Sequence, residues 1–362
     1  MKILIISKNS FPIQGPRAFR TAELSEQLAK MGHEVILYSV HGKYDYSSYE
    51  KETGVQMRNI HTKWAKRAND GTNRYNFVDR TLKHLFSRTL FFPECEFRFL
   101  VPKIIKENPN CDLLITIAFP HSIHSGAAKA KKKYPTIFPK KWIADCGDPF
   151  FLNPFSNAPK YFEKYEREWC EACDYITIPI EEGKSGYFPE YHKKIRIIPQ
   201  GFDFAKTPIS IYSKNEIPTF AYAGALYGKR NPIDFIKYLS TIDKKFIFKI
   251  YTRTPLPSTY KEILGERLEN ITGKNRKECI WELSKVDFLI NFMNPSAVQS
   301  PSKLIDYGIA KRPVLDISIP FDNSENILHF LEGDYSNSHK IDNLDAYKIE
   351  KVATGFLCLA KE

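Results

Sequence analysis

Ser300-Pro301-Ser302-Lys303, followed three residues later by Asp306, gathers two hydroxyls, a turn-setting proline, a cation and an acid in one short stretch. The apolar turn after Lys303 predicts that this stretch opens a helix, where unpaired backbone N–H groups and the positive end of the dipole attract anions. Lys303 adds a full charge. Asp306, on the same face, can accept bonds from paired hydroxyls. The layout suits a diphosphate at the helix start with a ribose one turn on; it fits equally an ordinary capped helix with an exposed lysine. Two more stretches carry chemistry-bearing side chains. Phe119-Pro120-His121-Ser122-Ile123-His124 follows a predicted strand and offers two imidazoles, although a lone histidine is more often structural. Asp145-Cys146-Gly147-Asp148-Pro149 closes another strand and either presents two acids or forms a plain turn.

These residues need elements to hold them. Ile3 to Ile6 reads as a buried strand, Ala18 to Lys30 has helical periodicity, and Glu34 to Val40 is a second strand set off by Gly32, which makes a βαβ opening. Further strands are expected at Asp112 to Ala118, Lys141 to Ala144, Tyr175 to Ile178 and Lys194 to Ile198, in a parallel sheet. The polar stretch from Phe202 to Pro218 reads as a linker. A second series follows: strand Thr219 to Ala223, helix Pro232 to Leu239, strand Phe246 to Tyr251, helix Arg276 to Ser284 and strand Phe288 to Phe292, then the Ser300 loop, a helix and strand Val314 to Ile317. The expected domains are 1–204, 205–343, and a C-terminal helix over 344–362 that could return to the first domain. Ligands of such open α/β sheets bind at the carboxyl ends of the strands.

Bulk composition agrees with a globular, two-domain chain: 362 residues exceed what one core usually holds, and 43% are hydrophobic. A net charge of +11 favours polyanionic partners, nucleic acid or an anionic membrane surface among them, or simply a basic enzyme. Seven scattered cysteines do not form a disulfide framework and point to a reducing compartment; Cys170-Glu171-Ala172-Cys173 lacks the partners of a zinc site and reads as structural. With neither a cleavable leader pattern nor a membrane-length apolar run, the expected location is cytoplasmic.

Taken in order, the motifs resemble retaining glycosyltransferases of the GT-B fold, in the family 4 group that builds bacterial surface glycans. The first strand with Pro12-Ile13-Gln14-Gly15-Pro16-Arg17 resembles that family's first loop, which approaches donor and acceptor. Asp174-Tyr175-Ile176-Thr177, then Ile197-Ile198-Pro199-Gln200-Gly201-Phe202-Asp203, resembles the end of its acceptor-side domain. Tyr222-Ala223-Gly224-Ala225-Leu226-Tyr227-Gly228-Lys229-Arg230 resembles the first strand and loop of the donor-side domain, and the Ser300 stretch resembles the donor loop. The resemblance implies two Rossmann-like domains and transfer of a hexosyl group from a nucleotide sugar, UDP ahead of GDP, to a glycan or lipid-linked acceptor, with no cofactor. His124, Arg230 and Lys303 would be catalytic. Gly15, Gly224, Arg230, Ser300, Ser302, Lys303 and Asp306 would bind the donor, and Arg17, His121, Asp145 and Asp148 would face the acceptor. The chain has no Asp-x-Asp pair, so Arg230, Lys303 and the helix start would take a metal's place at the diphosphate.

Two departures stand out. Where the family often has two glutamates eight positions apart, this chain has Val298 and Asp306, and the basic residue often found after the loop glycine is Ala225. A nucleotide-binding GT-B partner without transferase activity, or a GT-B nucleotide-sugar epimerase, is therefore the alternative. Between Thr62 and Lys106 basic and aromatic residues interleave, among them Lys63, Trp64, Lys66, Arg67, Arg74, Arg80, Phe91 and Phe92. That stretch could rest on anionic lipid at the inner face of a membrane, or be an insertion whose rings pack inward. No nucleic-acid-binding module is recognisable.

Overall fold

A computed structural model describes residues 1–66, 86, 91–153, 158–226, 231–252, 255–293, 302–322 and 324–362, with backbone only at Ser302, Ser324 and Glu325. Ser300, Arg230, Val298, Lys229 and most of the basic aromatic stretch therefore lie outside the described residues, as does the side chain of Ser302.

The chain divides into two compact units, one built from Met1–Phe202 with Ala346–Glu362, the other from residues of 203–345. The first holds a seven-stranded sheet in the order β3-β2-β1-β4-β5-β6-β7. Its strands are β1 Lys2–Ser7, β2 Glu34–Ser39, β3 Gln56–Asn59, β4 Leu113–Ile117, β5 Lys141–Asp145, β6 Tyr175–Ile178 and β7 Ile195–Ile197. Every ladder is parallel, so the strands read as continuous apolar runs because both faces are covered. Alternation along β1 sends Leu4 and Ile6 to one core layer and Ile3 and Ile5 to the other.

One layer is closed by α1, Pro16–Lys30, and by α11, Ile349–Lys361, the last helix of the chain. Ile349, Val352 and Phe356 of α11 are fully enclosed against β-strand residues such as Ile115 and Ile143. The other layer is closed by α3, Phe97–Glu107, α4, Ser122–Lys133, and α5, Phe162–Ala172. At the α3–α4 crossing a Cβ on Gly126 would come 2.7 Å from both Phe97 O and Val101 Cβ, so the helices meet backbone to backbone. The Cys170 and Cys173 thiols are buried and unbridged at the end of α5, where Lys194 Nζ donates to the carbonyls of Cys170, Glu171 and Cys173 at 3.0, 2.6 and 2.9 Å. That pair is structural, as its spacing implied.

The second unit holds a five-stranded parallel sheet in the order β10-β9-β8-β11-β12. Its strands are β8 Thr219–Ala223, β9 Ile247–Tyr251, β10 Leu268–Ile271, β11 Phe288–Phe292 and β12 Val314–Ile317. Stacked rings hold its centre: Phe220 lies 4.7 Å from Phe248 and 4.8 Å from Phe288. The expectation of two parallel α/β domains holds. The strands that sequence reading passed over, β3 and β10, are polar edge strands that carry little hydrophobic signal.

Candidate functional site

Each sheet has one place where strand order reverses, between β1 and β4 in the first unit and between β8 and β11 in the second. Open α/β sheets bind ligands there, at the carboxyl ends.

In the first unit, α1 starts directly after the β1 loop, with Gly15 at its N-cap and Pro16 at its first position. A Cβ on Gly15 would meet nothing within 4 Å, so the surface there is open. One turn in, Arg17 and Arg20 both reach the carboxylate of Asp145 at the end of β5. Arg20 is 2% exposed; it donates Nη2 to Asp145 Oδ1 at 2.9 Å and Nε to Oδ2 at 3.2 Å, and also donates to the carbonyls of Ile198 and Pro199. Thr177 Oγ1 adds a bond to Oδ1 at 2.8 Å. Burial pushes the Asp145 carboxyl up, but the two guanidinium groups and these bonds outweigh it and hold the pKa well below the usual carboxylate range. Asp145 is thus corrected from an acceptor contact to a buried anchor: each of its oxygens is engaged inside the protein. Gly147 makes room for this, since a Cβ there would lie 2.9 Å from Arg17 Cδ.

Arg17 also faces a pocket of about 260 Å³ whose wall is largely aromatic: Phe91, Phe119, His121 and Phe150, with Gly147, Asp148, Pro149 and Asn153. His121 lies against Phe150, ring centroids 4.8 Å apart and nearly parallel. Phe119 is 52% exposed and Asp148 is exposed, so the pocket offers one face for stacking beside a cation and an acid. Burial, aided by Arg17, lowers His121 to about 3, so it is neutral at physiological pH. The pocket brings together three residues picked from the sequence, Arg17, His121 and Asp148.

His124 is not among them. It is fully enclosed, with Nδ1 2.7 Å from Thr116 Oγ1 and Nε2 3.4 Å from Cys146 Sγ, and burial holds it well below its ordinary pKa. Expected to meet a sugar hydroxyl or position the acceptor, it instead has both ring nitrogens occupied inside the core. The helical phase of α4 turns it inward, away from the pocket that His121 lines.

In the second unit the β8 and β11 ladder pairs only Phe220 with Phe288 and Ala221 with Leu289 before the strands part. Tyr307, on α9 (Ser302–Ala310), fills the gap: its hydroxyl accepts from Ala223 N and donates to Ile290 O, both at 3.0 Å. This pins the second turn of α9 to the reversal point. Lys303 lies on the first turn, its Nζ 3.3 Å from Phe292 O and 4.7 Å from the centroid of Tyr222. Gly224 follows β8 with φ +147°, and a Cβ there would meet Tyr222 Oη at 2.8 Å, so only glycine fits. Lys303 and Gly224 are therefore brought together at the strand ends.

Asp306, expected at the donor, carries an ion pair within the second unit. Arg276, on α8 (Arg276–Leu283), donates Nε and Nη2 to Asp306 Oδ1 at 2.9 and 2.6 Å, so this acid is already tied to a cation. Burial nonetheless leaves its pKa raised, with Arg276 opposing.

Sequence reading missed Arg20, Gly147, Tyr307 and Arg276. The i,i+3 spacing of Arg17 and Arg20 on a helix could have revealed the first; the others depend on contacts remote in sequence. In the stretch from Thr62 to Lys106 the described part is mixed: Phe99 is 59% exposed, while other rings pack inward. Phe91 meets the rings of Phe119 and Phe150 at 5.3 and 5.5 Å, and Trp64 meets Phe92 at 5.8 Å. Glu96 fixes its start by accepting from the backbone of Lys63, Trp64 and Ala65 at 2.5, 3.0 and 3.1 Å. Among the described residues no helix is long and apolar enough to cross a membrane.

No family model matches the sequence, and no curated protein matches it. Solved structures do. The lipopolysaccharide outer core galactosyltransferase WaaB, in its apo form, superposes with a TM-score of 0.60 at 13% identity over 99% of both chains. Anabaena HepE in complex with UDP-glucose gives 0.58 at 8% identity over 100% of this chain and 97% of that one. A point mutant of S. aureus TarM, bound to fondaparinux, alpha-GlcNAc-glycerol and UDP, gives 0.59 at 11% identity over 100% of both. With its two parallel-sheet α/β units, this chain has the GT-B fold.

Proposed function

We propose that this protein is a glycosyltransferase that moves a hexosyl group from a nucleotide diphosphate sugar to a hydroxyl of a glycan or lipid-linked acceptor in surface polysaccharide synthesis. The observation that carries this reading is the site at the β8/β11 reversal, where Tyr307 locks α9 so that its N-terminal turn and Lys303 stand at the strand ends beside Gly224. An anion is stabilised there by backbone N–H groups, the helix dipole and a lysine. Breaking the anomeric C–O bond develops negative charge on the leaving diphosphate, and a fixed cation at that point lowers the barrier. Lys303 and, in the loop after Gly224, Arg230 are assigned this role without a metal at the diphosphate. UDP is the favoured carrier, supported by the UDP-glucose and UDP bound to two proteins of the same fold. Retention of configuration rests on the family resemblance.

The acceptor is assigned to the pocket of Arg17, His121 and Asp148, whose aromatic wall suits the apolar face of a sugar ring. The work site is the cytoplasmic face of the membrane, where the basic stretch after Lys63 meets anionic lipid. Turnover with a panel of UDP- and GDP-sugars tests the reading. Lys303→Ala should lower kcat on the order of 10²-fold with the correct donor. A wild-type chain that binds UDP but turns over no donor would leave the nucleotide-binding partner as the correct description, which the engaged Asp306 favours.

A further inference from the structure

Beneath the aromatic pocket, three potential ligand atoms converge, one of them on His121, which also lines the pocket assigned to the acceptor. His121 and His124 lie three apart across the start of α4, and Cys146 follows the end of β5. One ligand atom from each lies within 4.8 Å of the others, and all three residues are buried. They form the one such group of His, Cys, Asp or Glu among the described residues. Two features suggest more than packing. His121 is 3% exposed, and its Nδ1 is a buried polar atom with no hydrogen-bond partner. The ring also interacts with the backbone of Asp148, and Nδ1 is the nitrogen left without a partner. His124 is oriented from behind by Thr116 Oγ1, itself fixed by Trp142 Nε1 at 2.8 Å. Histidines that ligate metals are typically held in this way through the opposite nitrogen.

We infer that His121 Nδ1, His124 Nε2 and Cys146 Sγ form a binding site for one thiophilic d¹⁰ ion, Cu(I) or Zn(II). Two imidazoles and a thiolate match the ligand preferences of both. First-row ions need ligand atoms roughly 3.3–3.8 Å apart. The His124–Cys146 pair satisfies that at 3.4 Å, and His121, on the pocket side, closes the remainder by a shift of about 1 Å. The ring shell of Trp169 and Phe150 keeps the site dry, and the pocket lined by His121 provides the way in. Binding forms one metal–sulfur and two metal–nitrogen bonds. The Cys146 proton leaves to solvent, and the bound His124 is the tautomer with Nε2 bare for the metal and Nδ1–H donating to Thr116 Oγ1. Arg17 and Arg20 against Asp145 leave one positive charge nearby, so the monovalent ion, neutral once bound to thiolate, is the better match.

The purified full-length chain, stripped with chelator and kept reduced, is titrated with Zn²⁺ and with Cu⁺ against a chromophoric competitor, and with Co²⁺ as an optical probe. One equivalent of Zn²⁺ or Cu⁺ should bind, Co²⁺ should give a sulfur-to-cobalt charge-transfer band, and Cys146→Ser should abolish that band. His121→Gln should weaken affinity at least about tenfold, with circular dichroism unchanged. If Cys146→Ser does not fold, His121→Gln is read alone. No binding of either ion, or binding unchanged in the variants that fold, overturns the proposal. Tighter Zn²⁺ than Cu⁺ binding, each measured as a free-ion dissociation constant, overturns the preference for the monovalent ion.

Discussion

Glu166 shows how a single side chain couples the core to the pocket. It is fully buried on α5, with Oε2 accepting from Phe151 N at 3.1 Å and Oε1 without a partner. Burial raises its pKa to about 7, with the Phe151 and Phe150 amides opposing. A raised folded-state value means that its contribution to stability is fully present below the unfolded pKa and is lost as pH rises through about 7. Thermal unfolding should therefore show stability falling between about pH 4.5 and pH 7. Glu166→Gln should flatten that segment and gain up to roughly 3 kcal/mol at pH 8, at about 1.4 kcal/mol per unit of pKa separation. A second residue-scale expectation concerns Gly147. Gly147→Ala should push Arg17 off Asp145, raising KM for the acceptor more than it lowers melting temperature.

At the scale of elements, what matters is how strand ends are kept apart and helix starts are aimed. β8 and β11 part after two paired residues, and the Tyr307 hydroxyl spans the opening. Tyr307→Phe keeps the ring and removes both bonds, leaving a buried N–H and a buried carbonyl unpaired. The expected cost is on the order of 2 kcal/mol, read as a lower denaturation midpoint of the second unit. UDP affinity should fall with it, because α9 is no longer fixed at the reversal; unchanged UDP affinity would mean that the helix start does not hold the diphosphate. Much of this architecture is legible in the sequence. Ile3 to Ile6 and Phe288 to Phe292 announce themselves because a strand covered on both faces must be apolar throughout. β3 and β10 escape notice because an edge strand needs no such run. Lys303 was legible from local spacing, whereas the capture of Asp306 by Arg276 was not, since the two lie thirty residues apart.

Across the whole molecule the chain does not end where its second sheet ends. After the second unit it returns to the first, where Phe202 and Lys348 form a parallel bridge and α11 enters the layer shared with α1. A Cβ on Gly201 would lie 2.7 Å from Ile349 Cδ1, so this seat is shaped closely to the helix. Ending the chain at Asp345 should expose the enclosed faces of Ile115 and Ile143 and make the first unit protease-sensitive and prone to aggregation. The second unit should still bind UDP in that truncation. Equal protease resistance with and without α11 would show that the helix adds little to the first core.

The sequence by itself determined two parallel α/β units, and it singled out the start of α9 as the candidate anion site. Each of these is encoded by local periodicity, turn residues or helix-end chemistry. Tertiary structure alone decided which charged residues remain for a ligand. It set Arg20 and Thr177 on Asp145, gave Asp306 to Arg276, turned His124 inward to Thr116 and Cys146, and left His121 and Arg17 at an aromatic pocket. A buried charge or ring nitrogen is assigned by the partner that the fold delivers to it from a distant segment, and no window of sequence contains that partner.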